Sequence, residues 1–443
     1  MLDLRAAAIA ANRFGLGAKP GELTAIATDP RGWLKGQLRP DPAAVSGTPS
    51  SAQLAALFKM RRENKADPDA MKAFEKTQRE GFRERAAQRT LDAAASTTPF
   101  RERLVQFWSN HFTVSIQRGV VIPVALGFEN EAIRPHVTGR FVDMLRAVAQ
   151  HPAMLVYLDN IVSVGPNSRN GKLKDKGLNE NLAREMLELH TVGVDGGYSQ
   201  TDVTEFAKVL TGWSISRDME SDAGAFRWRP GIHEPGAKTV LGRTYKEDGQ
   251  NEGLAVIDDL AARPQTAKHI ATKLVRHFVA DDPPPAAVEK IAAVFHKTGG
   301  DLHAVSAALI DLPQIWSQPL TKVRTPNDLV TAACRAFGIT DVKLGQSTLM
   351  GLKHMGQVPF DAPSPAGWPD TADGWVSPEA MMTRIDWAMA VGQKLDGHAD
   401  ARAVAQDVIK PVAADTTLFH IDNAPSPAEA LALLIASPEF QRR

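Results

Sequence analysis

The stretch Phe100-Arg101-Glu102-Arg103-Leu104-Val105-Gln106-Phe107-Trp108-Ser109-Asn110-His111-Phe112 decides the fold class. At ~100° per residue, Phe100, Leu104, Phe107, His111 and Phe112 fall along one stripe with Trp108 at its edge, which predicts a central amphipathic helix. Apolar residues keep this helical spacing through most of the 443-residue chain, while period-2 runs rich in Val, Ile and Thr are nearly absent. The expected fold is therefore mostly α, a multi-helix, bundle-like globular domain. Near the C-terminus, Ser426-Pro427-Ala428-Glu429 places an N-cap serine, a first-turn proline and a capping-box glutamate in order, and opens a helix through Ile435. The one convincing extended stretch is 226–245, where Phe226 and Trp228 alternate with polar residues and Val240-Leu241 follows a Gly/Pro-rich turn. One small β-hairpin is expected there.

Two polar segments, 59–89 and 165–176, are expected to reach solvent, the first as helix interrupted at Asp67-Pro68 and the second as a mobile loop. Segment 357–375 carries Pro359, Pro363, Pro365 and Pro369 between Phe360, Trp368 and Trp375. Its prolines lower the entropic cost of ordering and its aromatics supply anchors, so it reads as a fixed cover over the helical body. No clear boundary divides the chain. One large helical domain spanning 1–443 is expected, with 250–265 as the place where N- and C-terminal halves would separate.

Balanced charge, 51 Lys+Arg against 51 Asp+Glu, gives no overall field toward phosphate backbones or anionic lipid and argues against general nucleic-acid binding. The single cysteine, Cys334, excludes an intrachain disulfide and any multi-cysteine metal site, and reads as a buried residue. The longest apolar runs fall far short of the ~18–20 residues of a membrane span. An acid at Asp3 stands where a secretory signal carries its basic region, so cytoplasm is the default expectation and the periplasm stays open.

The stretch most suggestive of chemistry is Asn179-Glu180-Asn181-Leu182-Ala183-Arg184-Glu185-Met186-Leu187-Glu188-Leu189-His190. Asn181, Arg184, Glu185 and Glu188 share one narrow stripe, with Leu182, Met186, Leu189 and His190 opposite. The polar stripe suits the wall of a pocket. It suits a solvated face equally, because Arg184 and Glu188 are spaced as an ordinary i,i+4 ion pair. His111 and His190 both lie in apolar stripes, as satisfied core histidines or as ligands and proton carriers. The hairpin offers His233-Glu234 and Lys238, and helix 265–279 offers His269, Lys273, Arg276 and His277, of which His277 lies nearest the apolar edge. The zinc-protease spacing, the di-iron Glu-x-x-His spacing, Walker and dinucleotide loops and the Gly-x-Ser-x-Gly elbow are all absent. In 193–201, Gly193 reads as a helix end and Thr201 as the cap of the next helix.

Taken in order, Arg13-Phe14-Gly15-Leu16-Gly17, Phe107-Trp108-Ser109-Asn110-His111-Phe112, Asn179 to Glu185 running into Glu188-Leu189-His190-Thr191, Val194-Asp195-Gly196-Gly197-Tyr198, Leu210-Thr211-Gly212-Trp213 and Pro365-Ala366-Gly367-Trp368-Pro369 resemble the bacterial family called domain of unknown function 1800 over nearly the whole chain. The family brings no established reaction. The resemblance implies a sulfatase-like partner protein, because genes of such a family often lie beside its own. The family pattern has His-Asp where this chain has His233-Glu234.

The recognisable pieces fall on the polar stripe and on both apolar-face histidines. One polar cavity is therefore expected between the helices that begin near Phe100, Asn179 and Gln265, covered in part by the hairpin and the Pro/Trp loop. Its catalytic candidates are Glu185 or Glu188 as acid/base or metal-binding carboxylate, Arg184 as an anion clamp and His111 as a proton carrier. Asn110, Asn181, His233, Lys238 and His277 are the ligand-binding candidates. A divalent metal is a candidate cofactor of undetermined identity. An enzyme acting by hydrolysis or transfer on a polar, anionic or saccharide-like substrate is one reading; a non-catalytic scaffold or partner protein is the other.

Overall fold

The computed structural model describes residues 2–39, 48–65, 67–173, 177–216, 222–317, 319–341 and 350–443. Helices dominate, and proline sets where many of them start: Pro68, Pro99, Pro264, Pro326, Pro378 and Pro427 each occupy the first turn of a helix. Proline suits that position because its fixed φ is already helical and its missing N–H would have had no intrahelical acceptor. At Ser426 the cap forms as the sequence suggests, with the hydroxyl accepting from the Glu429 amide at 3.2 Å. The helix after the 193–199 turn is capped by Ser199, not Thr201; Ser199 and Asp202 form a reciprocal capping box that the Asp at N3 made available.

The Pro99–His111 helix is central, with Phe100, Leu104, Val105, Phe107, Trp108 and His111 all buried. Phe100 meets Phe14 edge-on at 5.3 Å and Phe278 at 5.8 Å, which joins the N-terminal helix, the central helix and the Pro264–Phe278 helix in one aromatic cluster. A single cluster of buried apolar side chains includes residues from Ala7 to Phe440, and the helices Gln250–Ala262 and Pro264–Phe278 at the expected dividing point contribute to it.

Strand structure among the described residues is confined to two small antiparallel sheets. β1 (Trp213–Ile215) pairs with β2 (Phe226–Trp228), and β3 (Lys238–Val240) pairs with β4 (Arg243–Tyr245). The extended 226–245 run thus belongs to two sheets and not to one hairpin. The turn Pro230–Ile232 ends β2, whose partner is a three-residue strand directly after a helix, too short to announce itself by alternation. The β3–β4 turn is Leu241-Gly242, both at positive φ, as a two-residue hairpin loop of this kind requires. Residues 165–173 of the segment expected to be mobile are tied to the 230s turn: the Asn167 amide and side chain donate to Glu234 at 2.8 and 2.6 Å. Residues 174–176 lie outside the described ones.

Guanidinium groups are an unusual part of this core, since Arg13, Arg103, Arg324, Arg335, Arg384 and Arg443 are almost fully buried. Most of their bonds go to backbone carbonyls at helix ends and loops. Arg335 donates to Gly17, Ala94 and Ser96, and Arg13 to Ile315 and Pro319. Asp328 answers two of the positive charges, Arg103 at 3.0 Å and Arg443 at 2.9 Å. Burial opposes each of these charges and is only partly offset, since Arg13 Nε and Arg324 Nε have no hydrogen-bond partner among the described residues, so the cluster fixes geometry more than it adds stability. Asp328, the carboxylate shared by Arg103 and Arg443, lines the cavity described next.

Candidate functional site

A cavity of about 430 Å³ opens between the C-terminal half of the Pro99–His111 helix, the second half of the Pro264–Phe278 helix, the start of the Pro326–Ala336 helix and the Pro/Trp segment 357–371. The segment is a fixed wall. Asn110 clamps it with both ends of its amide, donating to the Trp368 carbonyl at 3.0 Å and accepting from the Trp368 N–H at 2.8 Å. Ser115 donates to the Ala362 carbonyl at 2.9 Å, and the Gln357 side chain accepts from the Asn327 amide at 2.8 Å. Gly367, at φ 82°, passes so close to the central helix that a Cβ there would sit 2.5 Å from the Asn110 carbonyl oxygen. Trp375 is buried; Trp368, expected to be equally so, is half-buried because it lines the cavity.

At one end of the cavity His277 and Asp370 form a pair. The His277 Nδ1–H donates to both carboxylate oxygens at 2.8 and 2.9 Å, which fixes the ring and leaves Nε2 as a buried nitrogen with no partner among the described residues. Arg443 holds the assembly from behind, donating to the His277 carbonyl at 2.9 Å and lying 3.8 Å from Asp370. Burial lowers the His277 pKa to about 4 despite the neighbouring Asp370, so the ring is neutral at pH 7. Burial works to raise the Asp370 carboxyl, but His277, Arg443 and Lys322 outweigh it and keep the group ionised.

Further along the same helix, one face carries His269, Lys273 and His277 at i,i+4 steps, and Lys273 and Arg276 line the cavity beside His111. Neither Lys273 nor Arg276 has an ion pair among the described residues; Arg276 makes one bond, to the Asp281 carbonyl at 3.3 Å. Arg89, also in the wall, is by contrast neutralised by Glu129 through two bonds of 2.7 and 2.6 Å. Burial and the like charge of Arg276 lower the Lys273 pKa to about 8 against the opposing pull of Asp370.

The His111 ring, buried at the cavity wall, donates from Nε2 to the His190 carbonyl at 3.2 Å, and His269 donates likewise to the Leu189 carbonyl at 3.0 Å. Both carbonyls lie at the end of a π-helical turn, Met186–His190, where no further turn of helix supplies donors. Since a carbonyl only accepts, Nε2 of each imidazole carries the proton, and His111 Nδ1 is a bare, buried nitrogen. Burial first, then the Lys273 charge, lower the pKa of His111 well below its ordinary value and those of His190 and His269 to about 3 and about 4.

The residues singled out from sequence therefore separate into three places. His111, Asn110 and His277 line the cavity. Glu185, Glu188, Arg184 and Asn181 do not. Arg184 pairs with Glu180 at 3.1 Å and Gln200, not with Glu188, because the helix ends at Glu185 and the wider π turn shifts Glu188 off the i,i+4 line. Glu188 accepts from Tyr198 at 3.2 Å, Asn181 is exposed, and burial with the facing Glu188 raises Glu185 to about 7. His233 and Lys238 belong to a third group, a buried cluster in which Lys238 donates to Glu252 at 3.1 Å and His233 Nε2 lies 3.2 Å from the same oxygen. The Asn179 helix thus reaches the cavity region only through His190, and the expected hairpin cover is absent from its walls.

Lys273, Arg276 and Asp370 carry much of the site's charge; the sequence offered Lys273 and Arg276 on helix 265–279 but left them out of the candidate site, and Asp370 was not singled out. The i,i+4 spacing of His269, Lys273 and His277 was available as a signal; the pairing of Asp370 across 93 residues was not. Among the described residues no group of three or more His, Cys, Asp or Glu side chains is arranged to hold a metal ion, and no helix is long and apolar enough to cross a membrane.

No curated protein and no solved structure matches the chain. The family model described as "Protein of unknown function (DUF1800)" matches residues 9–442, a span that contains every wall of the cavity. The chain belongs to the DUF1800 family.

Proposed function

We propose that the cavity binds a small polar anion at Arg276 and Lys273 and that the His277–Asp370 pair moves a proton on it, which makes the chain an acid–base enzyme. The observation that carries this reading is the His277 ring, anchored through Nδ1 on Asp370 with Nε2 unpartnered, beside two cations without counter-charges. Burial keeps His277 neutral. An anion arriving at Arg276 favours the imidazolium, so ligand binding itself would raise the basicity of Nε2. His111 Nδ1 is a second unprotonated nitrogen at the wall, suited to accept a hydrogen bond from a substrate hydroxyl.

The test is a thermal-shift series with inorganic phosphate, sulfate and small carboxylates. Stabilisation is expected in wild type and is expected to be lost in Arg276→Gln. Equal shifts in both proteins, or none in either, would dispose of the anion site.

A second reading, a non-catalytic partner of a sulfatase-like protein, draws support from Met382, Ile385 and Met389, which are exposed at helical spacing on the Pro378–Leu395 helix. Co-expression with such a protein is expected to give a complex that Met389→Glu disrupts if this reading holds.

A further inference from the structure

Of the two cations without counter-charges in the cavity, only one can shed its proton under mild conditions. Arg276 stays charged, whereas a lysine amine becomes a nucleophile once deprotonated. Lys273 sits where that is favoured: it lines the cavity, Arg276 is its i+3 neighbour, and its anionic neighbour Asp370, which opposes the effect, is bound to His277 and makes no ion pair with Lys273 among the described residues. The neighbouring imidazoles of His111, His190 and His269 are neutral, and two of the three have their N–H groups committed to helix-end carbonyls.

We propose that Lys273 captures carbonyl compounds as an imine, and that the compound is a small 2-oxo acid whose carboxylate is held by Arg276. The proposal rests on the anion-site reading above and names the substrate class of that site. Residues at i and i+3 of a helix are neighbours, ~5–6 Å apart at Cβ, and a 2-oxo acid carries its carboxylate and its carbonyl on adjacent carbons. One ligand can therefore satisfy both side chains. His277, one turn further on, faces the same cavity.

The Nζ lone pair attacks the carbonyl carbon and the C=O π pair moves to oxygen. A proton leaves the new ammonium for the alkoxide, by way of His277 Nε2, to give a carbinolamine. The remaining N–H proton of the carbinolamine then passes to His277 Nε2 as the nitrogen lone pair forms the C=N bond, and the ring delivers that proton to the departing hydroxyl, which leaves as water. Amine and oxo acid thus yield imine and water, and no oxidant or reductant takes part. At pH 7 an amine of pKa about 8 is free in about one molecule in ten, against fewer than about one in a thousand for an ordinary lysine.

The test is reductive trapping of the whole protein with pyruvate and sodium cyanoborohydride, followed by peptide mapping. Lys72 and Lys76, both largely exposed, serve as internal controls. Labelling of Lys273 at least about tenfold above these two is expected. It is expected to fall to the level of the controls when acetaldehyde replaces pyruvate or when Arg276 is Gln, and to vanish in Lys273→Arg. Lys273 labelled no more than Lys72 would overturn the imine. If phosphate still stabilises that same protein, the anion site stands and only the imine fails; if phosphate does nothing, both readings fail together. The mapping is done on wild type, so it remains decisive even if a variant does not fold.

Discussion

Three buried imidazoles and one half-buried, all held neutral, make this protein acid-labile in a way that can be calculated. His111, His190, His269 and His277 all have pKa values below the ordinary 6.5, with burial as the first cause in each. A depressed pKa means that the unfolded chain takes up protons that the folded chain refuses. The stability contribution is therefore fully present above pH 6.5 and drains away as pH falls through 6.5 toward 4. Between pH 7.5 and 5.5 each of His190, His269 and His277 costs about 1.3 kcal/mol, or about 4 kcal/mol for the three, and His111 acts in the same direction. Glu185 acts in the opposite sense: with its pKa raised to about 7 it is protonated over the same interval and returns about 1–2 kcal/mol. The net loss of about 2–3 kcal/mol, to which His111 adds in the same direction, is a large part of the 5–15 kcal/mol that holds an ordinary protein folded. Urea unfolding followed by circular dichroism at pH 7.5, 6.5 and 5.5 reads this directly. His269→Gln keeps a donor for the Leu189 carbonyl but removes one titration, so its loss should be smaller by about 1.3 kcal/mol. A midpoint that stays flat or rises on acidification would refute the reasoning, because at least the histidines would then be charged in the folded state.

Other outcomes follow from single contacts. Asn110→Ala leaves the Trp368 N–H and C=O without their partners and should cost about 1–3 kcal/mol in urea unfolding; no change would mean that the Pro/Trp wall is held elsewhere. Trp368→Ala, half-buried at that wall, should cost about 2 kcal/mol, less than the 3–5 kcal/mol of a fully buried tryptophan. Asp328→Asn strips Arg103 and Arg443 of their anion and should cost about 3–5 kcal/mol, seen as a large fall in Tm. Glu185→Gln should raise Tm at pH 8, where the raised carboxyl of wild type is forced to ionise beside Glu188, and change little at pH 5. A fall in Tm at pH 8 would reverse that sign.

What was legible in the sequence was mostly local. The stripe Phe100, Leu104, Phe107, His111 set the central helix correctly because burial of one helical face is written at fixed spacing. Prolines and caps marked helix starts for the same reason. His111 and His277 could be picked out because polar groups on apolar faces must find partners, and Asn110 because it lies in the Phe107–Phe112 motif of the family resemblance. Glu185 and Glu188 drew attention by their spacing, which presumed a regular α-helix; the helix ends at Glu185 and gives way to a π turn at Met186–His190, which nothing in the composition announces, and neither carboxylate lines the cavity. Asp370 and Arg443 were out of reach, since they meet His277 only through the return of the chain from 93 and 166 residues away. The resemblance of the short motifs to the DUF1800 family agrees with the match over residues 9–442, and Gly367 within Pro365-Ala366-Gly367-Trp368-Pro369 now has a physical reason, a backbone crossing that admits no side chain.

The central claim is that an anion entering the cavity at Arg276 raises the proton affinity of His277. Titration calorimetry with inorganic phosphate at pH 6, repeated in buffers of different ionisation enthalpy, counts the protons taken up on binding. Binding with net proton uptake is expected in wild type, uptake is expected to vanish in His277→Asn, and binding is expected to vanish in Arg276→Gln. Phosphate binding with the same proton count in wild type and His277→Asn, or undiminished in Arg276→Gln, would contradict the claim.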